Sequence, residues 1–192
     1  MSEIKVNKVS PATGTAIQLG DSGDTFTVPS GCTITNSGTA TGFGGGKLLQ
    51  CLQTVKTDSA SSNNTTFNTL ISVAITPSAT SSKIMVFYHF QSFGYNAGAS
   101  IRILRDSTAI YVGDADGSRI QGSGNFKSPS TEFINNLSGN FLDSPSSTSA
   151  ITYALQMRSN GGTNYINRSS ADANSTDATR VPSSITVMEI GA

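Results

Sequence analysis

Charged residues are scarce in this sequence, tryptophan is absent, and histidine occurs once. Lys, Arg, Asp and Glu make up 12% of the 192 residues, and 12 basic side chains balance 12 acidic ones. Because no basic stripe is present, we expect no nucleic-acid partner. Because no apolar run approaches the ~20 residues that span a bilayer, we expect no membrane insertion. The opening residues MSEIKVNKVS have no apolar core of a secretory signal, so we expect the protein to be assembled in a cytoplasm and released inside a larger particle.

The few histidine and cysteine residues also limit the chemistry of one chain. His89 lies in the most apolar segment, and we interpret it as a packed or interface side chain. Cys32 and Cys51 are interpreted as small buried hydrophobic residues, while their spacing leaves a disulfide open. One His and two Cys do not favour a zinc site within a chain, and no G-x-S-x-G motif is present. We therefore predict no catalytic residues, no metal and no cofactor.

Ser, Thr and Asn take the place of charged residues, and apolar residues alternate with them. No segment repeats apolar residues at the helical period, so we predict an all-β protein without a helix longer than one turn. The predicted strands are 49–55, 67–75, 83–93, 100–105, 109–113, 131–142, 150–158, 163–168 and 184–190, with weaker ones at 16–19 and 119–121. About eight to ten strands joined by polar loops favour an antiparallel jelly-roll-type β-sandwich over residues 47–192.

The segment 83–93 is apolar in both phases of the strand period. One side carries Ile84, Val86, Tyr88 and Phe90, and the other carries Met85 and Phe87. A strand that is apolar on both faces is usually central and covered twice. We expect the sandwich core to cover one face and a neighbouring subunit to cover the other.

Residues 23–46 show a weaker strand pattern before the predicted sandwich. Their apolar side chains fall on even positions, at Phe26, Val28, Cys32 and Ile34. Because four apolar side chains cannot enclose a core, we expect this ribbon to pack against other copies of itself. Residues 1–46 are thus predicted to form an anchoring arm and a short β-ribbon stem, with a turn at Pro29-Ser30-Gly31. Burial of these side chains within one chain would contradict that interpretation.

Several segments carry a family resemblance that covers most of the chain. The run SPATGTAIQLGDSGDTFTVPSGCTITNSGTATGFG resembles a segment that recurs in structural proteins of marine and cyanobacterial tailed phages. The segments ITPSATSSKIMVFYHF, IRILRDSTAIYVGD, LDSPSSTSAITYALQMRSNGGTNYINRS and SSITVMEIGA resemble the domain that follows it there.

The resemblance implies a non-enzymatic virion protein, assembled in the host cytoplasm as a homotrimeric tail-fibre-like appendage. Its N-terminal arm would attach to other virion proteins, of the tail or the major capsid, and its C-terminal domain would face outward for host attachment. The chain has almost no shaft compared with longer fibres. A capsid decoration (cement) protein that stabilises the phage head is therefore the alternative, and a glycan-cleaving tailspike is a third hypothesis.

Tyrosine and asparagine side chains in loops and at strand ends suit a host-surface glycan or protein, although ordinary loop composition explains them equally well. The run Asp114-Ala115-Asp116-Gly117 resembles the opening of a calcium loop but lacks the rest of that motif. The predicted receptor-binding residues are Tyr95, Asn96, Asp114, Asp116, Tyr165 and Asn167.

Overall fold

The computed structural model describes residues 9–33, 35, 47–94, 98–129, 133–176 and 178–191. The chain divides into two compact units, Met1–Phe43 and Gly44–Ala192. Residues 9–33 and 35 of the first unit contain no β-strand. The strand predicted at 16–19 and the described part of the predicted ribbon are therefore not strands in a single chain. The physical reason is that a strand is completed by a ladder partner for its backbone groups, and these residues have none.

Turns and exposed side chains characterise the described part of the first unit. The predicted turn at Pro29-Ser30-Gly31 is confirmed, since the Cys32 amide donates to the Pro29 carbonyl at 3.1 Å and Gly31 has a φ of +85°. The Phe26 side chain is 67% exposed and that of Val28 is 37% exposed. Ile34 lies outside the described residues.

Both cysteines are exposed free thiols, so the prediction that they are buried is wrong. Cys32 lies in a unit that buries little of its apolar surface. Cys51 lies in the outermost strand of a sheet, opposite Met188 and on the side away from the core.

Eleven β-strands are found among the described residues of the second unit. They are β1 (Leu48–Lys56), β2 (Ala60–Ser62), β3 (Asn68–Ile75), β4 (Lys83–Gly94), β5 (Ala99–Arg105), β6 (Thr108–Ile110), β7 (Gly124–Phe126), β8 (Asn135–Asp143), β9 (Ile151–Ser159), β10 (Asn164–Ile166) and β11 (Ser183–Ile190). The strand predicted at 119–121 is loop, whereas every other strand predicted after residue 46 is present. Within the described ranges, the chain has no helix long and apolar enough to cross a membrane.

The strands form two antiparallel sheets in jelly-roll order. In the first sheet, β4 pairs with β8 along one edge. Along its other edge β4 pairs first with β11 and then with β10. The strand β1 pairs with β11, and β2 pairs with β10. In the second sheet, the order is β3, β9, β5, with β6 and β7 following each other along the free edge of β5. The order β1-β11-β4-β8 facing β3-β9-β5-β6/β7 is that of two interleaved Greek keys. The predicted jelly-roll-type sandwich is confirmed.

Alternation explains which side chains form the core between the sheets. The side chains that alternation places on one side of β4 and β9 are all buried in the core: Ile84, Val86, Tyr88, Phe90, Ile151, Tyr153, Leu155 and Met157. Phe93 and Ala154 are buried as well. The Phe90 and Phe126 rings meet across the two sheets with centroids 6.1 Å apart. Each fully buried side chain of this size contributes about 1.5–3 kcal/mol to folding.

A buried carboxylate fastens one end of the first sheet. Glu189 of β11 is fully buried and accepts hydrogen bonds from Gln50 Nε2 at 2.6 Å and from the Ser78 amide and hydroxyl, both at 2.7 Å. Burial by itself raises the pKa of Glu189, but these hydrogen bonds outweigh it and lower the pKa to about 2. The carboxylate therefore joins β1, β11 and the β3–β4 loop.

A second polar cluster joins the two sheets. Arg105 Nη1 donates to both carboxylate oxygens of Asp143, at the end of β8, at 2.8 and 3.0 Å. The Tyr153 hydroxyl also donates to this carboxylate, at 2.6 Å. Burial, together with this bond to a carboxylate, raises the pKa of Tyr153 far above its ordinary value. The cluster supplies hydrogen-bond partners for polar groups that the sandwich partly buries.

Candidate functional site

The outward face of the second sheet carries a group of polar side chains on neighbouring strands. Ser100 of β5 lies opposite Arg158 of β9 and Asn125 of β7, and Arg102 lies opposite Gln156. Asn160 directly follows β9. We call Ser100, Arg102, Asn125, Arg158 and Asn160 the amide–arginine surface. The paired strand residues that share this phase on β3, β5, β7 and β9 include no acidic residue.

Ser100 organises the two amides of this surface. Asn125 Nδ2 donates to the Ser100 hydroxyl at 3.0 Å, and that hydroxyl donates to Asn160 Oδ1 at 3.2 Å. Ser100 is buried, whereas both asparagines are exposed. Because one atom of each amide is used in this way, Asn125 Oδ1 remains as an acceptor and Asn160 Nδ2 as a donor without a hydrogen-bond partner in the described part of the chain.

The two arginines of the surface have no acidic partner among the described residues. Arg102 Nε donates to Gln156 Oε1 at 2.9 Å, and its guanidinium lies 4.1 Å from the centroid of the Phe67 ring. Arg158 occupies β9, which lies between β5 and β3, and its Nε is buried without a hydrogen-bond partner. Since Arg102 and Arg158 are diagonal neighbours, their Cα atoms are about 7–8 Å apart and two like charges share one face.

A shallow depression of about 480 Å³ adjoins Ser100 and the two asparagines of this surface, and the β6–β7 loop forms one wall of it; Arg102 and Arg158 lie outside its lining. Its lining comprises Ser100, Asn125 and Asn160 together with Arg119, Ile120 and residues 122–124. The Ser123 amide donates to the Ile101 carbonyl at 2.8 Å. A Cβ at Gly122 would lie 2.9 Å from that carbonyl oxygen, so glycine permits the loop to approach β5 closely.

Two of the predicted receptor-binding residues, Asp114 and Asp116, lie in this β6–β7 loop and are exposed. Asp116 forms an ion pair with Arg119, which lines the depression. Tyr95 and Asn96 lie outside the described residues. The structure thus places part of the predicted set beside the amide–arginine surface.

Tyr165 lies in β10 of the first sheet and Asn167 directly follows that strand, so neither is grouped with the loop aspartates. The half-buried Tyr165 ring lies 6.0 Å from the Phe93 ring and 4.2 Å from the Arg168 guanidinium. Asn167 is 0% exposed, and its Nδ2 donates to the Lys56 and Asp58 carbonyls at 2.8 and 3.0 Å. The prediction that Asn167 contacts a receptor is wrong, because its amide closes the β1–β2 connection and no part of it reaches the surface.

The outward face of the first sheet has the opposite character, because an apolar row crosses it. The row consists of Cys51, Met188, Met85 and Leu142, each opposite the next in register on β1, β11, β4 and β8. Leu142 is 53% exposed, and Phe87 beside the row is 39% exposed. Contiguous exposed apolar surface of this kind is typical of an interaction surface.

His89 lies on this same outward face, beside a serine. Gln91 Nε2 lies 2.8 Å from His89 Nε2, and His89 Nδ1 lies 3.0 Å from the Ser138 hydroxyl. The Ser138 hydroxyl itself donates to Asn136 Oδ1 at 2.9 Å. Because the Gln91 amide nitrogen can only donate, this arrangement uses His89 Nε2 as the acceptor and leaves Nδ1 as the nitrogen that faces Ser138. This geometry does not prepare Ser138 as a nucleophile, which requires the imidazole to accept its proton.

No protein-family model matches the sequence, and no curated protein matches it. Solved structures with some likeness include a mutant VP2 protein of infectious bursal disease virus in derived T=1 particles, with 13% identity and a TM-score of 0.40. A VP2 subviral particle of the same virus gives 13% identity and a TM-score of 0.39. These alignments cover 74% of this chain and 36% and 38% of those chains, so this chain spans little more than a third of their length. Likeness at this level assigns neither a family nor a function.

Proposed function

We propose that this protein is a non-enzymatic structural protein of a phage virion, a homotrimeric tail-fibre-like appendage whose jelly-roll domain attaches to the host surface. The observation that carries the proposal is the contrast between the two outward faces of the sandwich. One face is apolar along the Cys51–Leu142 row, and the other presents polar groups without partners. This contrast suits a subunit that packs against copies of itself on one side and meets another molecule on the other.

The apolar row supports self-association through the first sheet. Met85 and Met188 lie at its centre, and methionine adapts well to an irregular apolar surface. Covering the row with a second and third copy removes Leu142 and Phe87 from water, at about 25 cal/mol per Å² of apolar area. Each copy presents the same row, as closed symmetric assembly requires.

The exposed side chains of the first unit support a stem made of several chains. The Phe26 side chain is 67% exposed and that of Val28 is 37% exposed, and residues 9–33 and 35 form no β-strand. Three adjacent copies would supply both the apolar cover and the strand partners. Three attachment domains on one stem also gain avidity from multivalency, so weak individual contacts suffice.

Light scattering on the full chain tests the oligomer. We expect a mass three times the 19.9 kDa of one chain at micromolar concentration. Met85→Glu places a charge in the apolar row and is expected to give monomers, whereas Thr69→Glu on the outward face of the second sheet is the matched control and keeps the trimer. A wild-type protein that is monomeric at this concentration would contradict the proposal.

Immunogold labelling of whole virions tests the location. Label on tails is the expected result. Label on heads would assign the chain to the capsid-decoration alternative, and virions without label would remove the virion assignment altogether. Release of fragments from a host polysaccharide by the purified protein would contradict the non-enzymatic part.

A further inference from the structure

We propose that the amide–arginine surface is a binding site for an acidic saccharide, one that carries a carboxylate or a phosphate. The inference rests on the proposed attachment function and names the chemical class of the receptor. Three features of the described residues support it: an amide acceptor beside an amide donor, two arginines without an acidic partner, and a depression of suitable size.

The free acceptor and donor suit sugar hydroxyl groups. Each hydroxyl donates one hydrogen bond and accepts others, so one hydroxyl can donate to Asn125 Oδ1 while another accepts from Asn160 Nδ2. Both amides are fixed in orientation because Ser100 bonds to each of them, at 3.0 and 3.2 Å. Binding therefore loses little side-chain freedom there.

The arginines add the requirement for negative charge. A buried polar atom without a partner is costly, and Arg158 Nε is one of only three such side-chain atoms found among the described residues. Arg102 is held in position by Gln156 and Phe67 and lies on the same face as Arg158. A carboxylate or phosphate bound on this face would accept charge-assisted hydrogen bonds from guanidinium groups that have no acidic partner among the described residues.

The depression sets the scale of the ligand. Its volume of about 480 Å³ falls within the range of small-ligand sites, which is about 300–1,000 Å³. Arg119 lines the wall opposite the strands and adds a third cation, although Asp116 partly neutralises it. The site is thus suited to a short oligosaccharide rather than to an extended protein surface.

Calorimetric titration of the full chain tests the inference with two pairs of probes. Tetragalacturonic acid is compared with its carboxyl-reduced, neutral counterpart, and glucose 6-phosphate is compared with glucose. We expect at least one acidic probe to bind, about tenfold or more tightly than its neutral partner, with an affinity that falls as salt is added. The first pair reports a carboxylate and the second a phosphate, so the pair that responds identifies the source of the charge.

Arginine variants locate the site. Arg158→Gln is expected to weaken binding of the acidic probe by about 10- to 100-fold. Arg119→Gln, on an exposed loop where folding is not at risk, is expected to weaken it severalfold. Arg180→Gln removes an equal charge from the exposed ion pair with Asp172 and serves as the matched control. Melting curves confirm that each variant is folded.

Two results would overturn the inference: no binding of either acidic probe, or equal affinities for the Arg158 and Arg180 variants. These results leave the trimer mass and the virion label untouched, so they bear on the ligand alone. Conversely, a monomer absent from virions that still selects the acidic probe through Arg158 would contradict the proposed function and leave this site in place.

Discussion

Replacing Glu189 by Gln tests how much the buried carboxylate contributes to stability. In the native protein its two oxygens accept only, from Gln50 Nε2 at 2.6 Å and from the Ser78 amide and hydroxyl at 2.7 Å. A glutamine amide keeps the shape but turns one of these oxygens into a donor. Gln50 cannot simply reverse its own amide, because the same Nε2 also donates to the Thr76 carbonyl at 2.8 Å.

The magnitude follows from the pKa of the carboxyl group. The pKa is about 2 in the folded chain and 4.5 for an unperturbed glutamate, a difference that corresponds to about 3 kcal/mol. Because the folded pKa is the lower one, this stabilisation is complete above pH 4.5 and is lost as the pH falls towards 2. At neutral pH we expect Glu189→Gln to lower Tm by about 6–12 °C, at about 2–4 °C per kcal/mol.

Thermal unfolding followed by circular dichroism at a series of pH values from 7 to 2 provides the assay. The gap in Tm between the wild type and Glu189→Gln should be largest above pH 5 and should narrow below pH 4. Asp58→Asn removes an exposed carboxylate paired with Lys56 and is the control, with Tm expected to remain unchanged at neutral pH. A gap of the same size at pH 6 and pH 2, or no gap at all, would refute the reasoning.

Further substitutions test packing, the inter-sheet cluster and the stem. Gly139→Ala places a Cβ 2.5 Å from the Tyr88 hydroxyl oxygen and should lower the free energy of unfolding in urea by about 1–3 kcal/mol. Gly113→Ala, where a Cβ would have no neighbour within 4 Å, is the control and should leave this free energy unchanged. Equal urea midpoints for the two variants would contradict the reasoning. Tyr153→Phe leaves Asp143 without its 2.6 Å hydrogen bond and should lower the free energy of unfolding by about 1.5–3 kcal/mol, so an unchanged chemical midpoint would speak against a stabilising role. Phe26→Ser should weaken the trimer in light scattering at low concentration without changing the Tm of the sandwich, and an unchanged dissociation would remove Phe26 from the stem.

Strand positions were largely predictable because alternation is a local property with a period of two. Residues 83–93 and 150–158 could be assigned to strands, and their inward sides could be listed, without knowing any partner strand. The same logic found the β5–β6 hairpin, where Asp106 adopts a φ of +53°. It failed for β2 and β7, because Ala60–Ser62 and Gly124–Phe126 show no apolar alternation of their own and form strands through pairing with β10 and β5.

Burial of polar residues followed a different rule and was not predictable in the same way. Asn167 has the composition of a surface loop, but its amide is needed where the β1–β2 connection meets β10. Cys51 has the composition of a core residue, but it falls on the outward phase of an outermost strand. In both cases the neighbouring strand sets the environment, and the residue type does not.

Composition and alternation thus established an all-β chain and its inward side chains, and they predict a two-part layout of arm and sandwich. The pairing of strands established everything that depends on distant residues. Gln50 and Glu189 meet although 139 residues separate them, and Ser100 meets Asn160 across 60. Register brought Arg102 and Arg158 onto one face and Met85 and Met188 onto another. The physical reason is that the residues of a strand determine which of its side chains face inward, whereas the partner strand is determined by the free energy of the whole sandwich.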